Sequence, residues 1–96
     1  MTFEEYSSLV SAQTAPPENL PDLLQALLYD ARGDWDQAHR IAQKIETPEG
    51  CWVHAYLHRK EGDLSNAQYW YRRCGRAESD SRLTEEWEAI SRHLLR

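Results

Sequence analysis

Ala26-Leu27-Leu28-Tyr29-Asp30-Ala31-Arg32-Gly33-Asp34-Trp35-Asp36-Gln37-Ala38 and Ala55-Tyr56-Leu57-His58-Arg59-Lys60-Glu61-Gly62-Asp63-Leu64-Ser65-Asn66-Ala67 are two copies of one pattern. Ala26 aligns with Ala55, Leu28 with Leu57, Gly33-Asp34 with Gly62-Asp63 and Ala38 with Ala67, at a constant offset of 29 residues. A fixed period of this size marks a repeated supersecondary unit. In each copy the glycine suits the left-handed residue that ends many helices. The aspartate after it suits the cap of the next helix. Each unit therefore reads as helix, Gly-Asp turn, helix, and the paired alanines leave room for two backbones to approach closely.

The same punctuation continues on either side. Thr2 and Glu5 form a capping box, which predicts a short helix over 3–13. Ala15-Pro16-Pro17 breaks it, and Pro21 suits the first position of a new helix. Leu23, Leu24, Leu27, Leu28 and Ala31 give that helix an apolar face. Asp34 with Gln37 starts the next, with the stripe Trp35, Ala38, Ile41, Ala42, Ile45. Thr47-Pro48 starts a helix ending at Gly62, and Asp63 starts one ending at Cys74-Gly75. Residues 76–81 are polar and loop-like, and Leu83, Trp87, Ile90 and Leu94 form one clean helical face. No segment alternates with period two, so the chain reads as all-α, one domain of about six helices. Helical hairpins fall at about 20–46 and 48–75, with capping helices at about 3–13 and 82–95.

Composition excludes several classes. The chain has 96 residues, a formal net charge of −5 and ten aromatic residues, four of them Trp. That is too aromatic for a disordered acidic chain. No run of about 18 apolar residues is present, so no membrane span is expected. The acidic start Met1-Thr2-Phe3-Glu4-Glu5 lacks the order of a signal peptide, which points to a soluble cytoplasmic protein. Charge is uneven: residues 1–38 carry seven acids against one base, whereas 39–76 carry seven bases against four acids. The acids sit mainly in first helical turns, where the dipole favours them. The basic centre holds Arg59, Lys60, Arg72, Arg73 and Arg76.

The repeated pattern resembles the tetratricopeptide (TPR) repeat over roughly residues 20–75. The matching residues are Ala26, Tyr29, Gly33-Asp34-Trp35 and Ala38, then Ala55, His58, Gly62-Asp63-Leu64 and Ala67. The period is 29 rather than the family's 34, which shortens the link between units. Residues around Trp35–His39 and His54–Arg73 are also similar to a group of small uncharacterised bacterial and fungal proteins, a resemblance that implies no activity. A TPR-like array implies a concave face lined by the first helix of each unit. On matching positions these residues are Leu23, Leu27 and Asp30, then Trp52, Tyr56, Arg59 and Lys60. Trp52, Tyr56 and Arg59 share a stripe with the composition of a binding hot spot. The expected function is thus a non-enzymatic module binding a protein or peptide partner through Trp52, Tyr56, Arg59 and Lys60. The competing arrangement has the first or last helix packed over this stripe.

An alternative site lies on another face of the same helix. His54 and His58 are one turn apart, and Glu61 follows one turn later. Two imidazoles and a carboxylate have the spacing of a ligand pair, but Val53-His54-Ala55 lacks the glutamate that zinc peptidases place after the first histidine. No metal or cofactor is assigned. His54, His58, Glu61, Asn66, Trp70 and Arg73 read either as a buried polar packing network or as a pocket for a small molecule or, less favoured, a metal ion. No residue reads as catalytic. Tyr69-Trp70-Tyr71-Arg72-Arg73 has a composition suited to base stacking, but an acidic chain makes a nucleic-acid partner a poor fit. Cys51 and Cys74 could in principle form one bridge, which cytosolic chains rarely do, and the TPR resemblance places Cys74 at a small buried core position.

Overall fold

Six segments read as helices, and six helices form. The computed structural model describes residues 1–96 and contains α1 (Phe3–Ser8), α2 (Asp22–Ala31), α3 (Trp35–Ala42), α4 (Pro48–Glu61), α5 (Leu64–Cys74) and α6 (Leu83–Leu94), with no strand. None is long and apolar enough to cross a membrane.

The Gly-Asp turns behave alike in both copies. Gly33 and Gly62 each have φ of +89°, a conformation other residues resist. The Asp34 N–H donates to the Tyr29 carbonyl at 2.8 Å, and the Asp63 N–H donates to the His58 carbonyl at 3.0 Å. These are the long C-terminal bonds of a Schellman ending. Asp34 then accepts from the Gln37 N–H, and Asp63 from the Asn66 N–H. Helices α2 and α3 pack as one hairpin, α4 and α5 as a second. Ala26, Ala38, Ala55 and Ala67 are buried, as close helix approach requires.

The first helix is shorter than its capping box suggests. The box forms, with Thr2 and Glu5 bonded reciprocally, but α1 stops at Ser8 rather than near 13. The Arg32 guanidinium takes the Leu9 carbonyl through Nε at 3.2 Å and Nη2 at 2.7 Å. A continuing helix would need that carbonyl for the N–H of residue 13. Tyr6 anchors α1, its hydroxyl donating to the Leu24 carbonyl at 2.6 Å. At the start of α2, Pro21 is the cap itself rather than the first helical residue.

Helix α6 does more than cap an end. Its apolar face enters the main core, where Ile90 joins Leu27, Val53 and Leu57, all fully buried. The Trp87 indole N–H donates to the Leu27 carbonyl at 2.9 Å. Beside them Glu86 is only 3 % exposed. Its carboxylate accepts from Trp52 Nε1 at 3.1 Å, Arg59 Nη1 at 2.8 Å and the Tyr71 hydroxyl at 2.6 Å. Burial, and then Glu86 itself, push the Tyr71 hydroxyl well above its usual titration range, so it stays a donor.

Cys51 and Cys74 form a disulfide, the bridge that a cytosolic chain rarely makes, with Cα atoms 5.6 Å apart. They lie at equal distances from the Gly62-Asp63 turn, so the α4–α5 hairpin brings them level.

Two outcomes test this core. Glu86→Ala leaves a largely buried guanidinium and two other donors without their acceptor, and urea unfolding should show a loss of about 3 kcal/mol or more. Reducing the Cys51–Cys74 bridge, which closes a 23-residue separation, should lower stability by about 3 kcal/mol on the same assay.

Candidate functional site

Helix α4 presents two faces to two neighbours. Trp52, Tyr56 and Arg59 point toward α6. His54 and His58, two positions away along the helix, point toward α3 and α5.

The first face is largely covered by α6, contrary to the open stripe expected, and what stays open there is a cavity of about 390 Å³ bordered by Asp30, Tyr56, Lys60, Leu83 and Trp87. Tyr56 is 2 % exposed and donates to Asp30 at 2.9 Å. Trp52 and Arg59 are bonded to Glu86, and Arg59 also donates to the Ser81 carbonyl. The Arg76 guanidinium lies 3.5 Å above the Trp52 ring. Lys60 Nζ is 2.9 Å from Asp30 Oδ1. The physical reason is the apolar side of α6. It needs a core-facing partner, and the stripe supplies one.

The second face gathers the other predicted residues and adds one. His39, from α3, places Nε2 3.0 Å from His54 Nε2. The His58 ring is centred 4.7 Å from that of His54 and 5.1 Å from that of His39. His58 Nδ1 is bonded to Glu61 Oε2 at 2.6 Å, and Asn66 Nδ2 lies 3.4 Å from His58 Nε2. Aromatic walls flank the three rings. Trp35 stacks on His39 at 4.8 Å, with its indole N–H fixed to the Leu57 carbonyl at 2.8 Å. Trp70 stacks on His54 at 4.1 Å, and the Arg73 guanidinium sits 5.3 Å from the Trp70 centroid. The stretch Tyr69–Arg73 is thus divided: Tyr71 goes to the core, and Trp70 and Arg73 to the histidines.

A cleft of about 330 Å³ opens beside His54. One wall is the α3–α4 corner, Ile45 to Pro48, and the other is Trp70, Arg73 and Cys74 of α5. Gly50 sets the corner's position. A Cβ there would collide with the Ile45 carbonyl oxygen, so the chain can turn this tightly only over glycine. The disulfide lies in the same cleft. His54 is therefore both a member of the buried cluster and part of the cleft's lining, whereas His58 is held on the far side by Glu61 and Asn66.

Comparison with protein-family models, curated proteins and solved structures returns no match.

His39 was not among the residues the sequence singled out. The available signal is compositional: three of the chain's four histidines lie between positions 39 and 58. Burial governs the charge of His39 and His54. It pushes His54 down to about 4, aided by the neighbouring His58 and His39. Burial also lowers His39, with His58 next in effect. At neutral pH His54 offers an uncharged ring beside the cationic Arg73, an arrangement suited to binding rather than to proton transfer with bulk water.

The depressed His54 value has a sign. The unfolded chain takes up this proton as pH falls through 6.5, and the folded chain only near 4. The contribution is complete above 6.5 and is lost as pH falls toward 4, by up to about 3 kcal/mol. Urea midpoints measured between pH 7 and pH 4 should fall more steeply in the parent chain than in His54→Gln.

Proposed function

We propose that this protein binds a small anionic ligand in the cleft between the α3–α4 corner and α5. The two helical hairpins, read as a TPR-like pair closed by α6, are its scaffold. One observation carries the reading: Arg73, Trp70 and an uncharged His54 are brought to a preformed cleft of about 330 Å³. Clefts of this size that combine apolar walls with a few convergent polar groups are the usual form of a small-molecule site.

The chemistry follows from the lining. Arg73 is exposed and offers a planar donor fork that suits carboxylate or phosphate. Ile45, Pro48 and the edge of Trp70 offer apolar surface to a flat organic portion. Gln43 and Thr47 add neutral polar groups at the rim, and the exposed Glu46 disfavours a ligand of high negative charge. Docking on the opposite side of α4 is less favoured, because Trp52 and Arg59 there are already bonded to α6. The Cys51–Cys74 bridge favours an oxidising compartment over the cytoplasm as the place of work.

Phenyl phosphate and benzoate are suitable probes in a ¹H–¹⁵N NMR titration of the intact chain. Shifts should be confined to amides within residues 43–51 and 70–74, and Arg73→Ala should weaken the response at least about tenfold, the loss of one charge-assisted pair. No saturable shift with either probe, or shifts scattered over the surface, would overturn the reading.

A further inference from the structure

We propose that His39, His54 and His58 together hold a divalent first-row transition-metal ion, with zinc the best fit. Their candidate ligand atoms all lie within 4.8 Å of one another. The His39 and His54 Nε2 atoms are already 3.0 Å apart. Tetrahedral zinc with bonds of 2.0–2.1 Å sets neighbouring nitrogens about 3.4 Å apart. Two of the three ligands thus stand close to the required separation, and the third needs only a side-chain adjustment.

The donor set selects the ion. Three imidazoles suit zinc, copper, nickel or cobalt, whereas magnesium and calcium require oxygen. Three protein ligands also leave one position open, the composition of zinc sites that take a water or an exogenous ligand. His54 lines the cleft, so the open position belongs on that side.

The surroundings of the trio are those of a built site. Metal-bound histidines commonly give their second nitrogen to a carboxylate, which orients the ring and strengthens it as a ligand. Glu61 does this to His58 Nδ1 at 2.6 Å, and leaves Nε2 as the free ligand atom. Trp35 and Trp70, stacked on His39 and His54, hold the other two rings. The Asn66 amide, 3.4 Å from His58 Nε2, is the side chain the ion displaces. A second grouping, His58 with Glu61 and Asp63, is less suited. Its Asp63 is engaged in capping α5, and both acids are exposed.

That such an ion serves ligand binding rests on the cleft reading above; that the triad holds it does not. The test uses the untagged, disulfide-bonded chain, so that no thiol competes. Isothermal titration with zinc alone should give one saturable site per chain. His39→Ala and His54→Ala should each weaken it at least tenfold, and Glu61→Gln by about 10- to 100-fold. His93→Ala, a histidine of α6, should leave it unchanged, and far-UV circular dichroism verifies that each variant folds. Cobalt in place of zinc should show the visible absorption of a four-coordinate ion. No saturable site, or an affinity equal in the parent and His39→Ala, would overturn the inference. Repeating the phenyl phosphate titration with a chelator present separates the two ideas. Anion binding without zinc binding sinks the metal site alone, whereas zinc binding without any anion response sinks the cleft reading alone.

Discussion

The Glu86 carboxylate organises the molecule. Removing a charge from water costs several kcal/mol, and only good geometry with satisfied hydrogen bonds offsets it. Here the donors come from two other helices, Trp52 and Arg59 on α4 and Tyr71 on α5. Helix α6 can therefore dock in one register, because a shift along its axis would bury the charge without partners. A purely apolar seam would tolerate slippage. The docked helix then dictates the use of α4. One side becomes mostly core, and the other bears His54 and His58.

The repeat made much of this architecture legible. The 29-residue offset places Gly33-Asp34 and Gly62-Asp63 in the same role, and both turns have the same φ and the same hydrogen bonds. Caps at Thr2, Asp34, Thr47 and Asp63 also match, because capping is decided by residues three apart in the chain. The end of α1 was not legible, since it depends on Arg32 reaching back across 23 positions to Leu9. The covering of the Trp52 stripe depends in the same way on distant residues. An apolar face on α6 was evident, but its destination was one of two.

The disulfide and the third histidine show a different limit. Cys51 and Cys74 are symmetric about the Gly62-Asp63 turn, so hairpin geometry pairs them, whereas sequence alone does not fix the redox compartment that lets the bridge form. The same hairpin brings His54 against Trp70 and His58 beside Asn66, each one position off that symmetry. His39 has no such local index. It reaches the site because α3 packs across α4, and that angle is set by the corner at Gly50, where a backbone carbonyl occupies the space of a side chain. The site thus joins a part governed by short-range rules to a part governed by one close backbone contact.

The connection from Trp87 to Leu27 spans 60 positions, while the hairpins close over turns of three and two residues. Local contacts form fast, and distant ones wait on loop closure. The hairpins can therefore assemble before α6 arrives, and arrival of α6 becomes the slow event. Until then Trp52 and Tyr56 stand in water as an adhesive strip. The face that reads in sequence as a docking surface is one in time, open during folding and then occupied by the chain's own last helix.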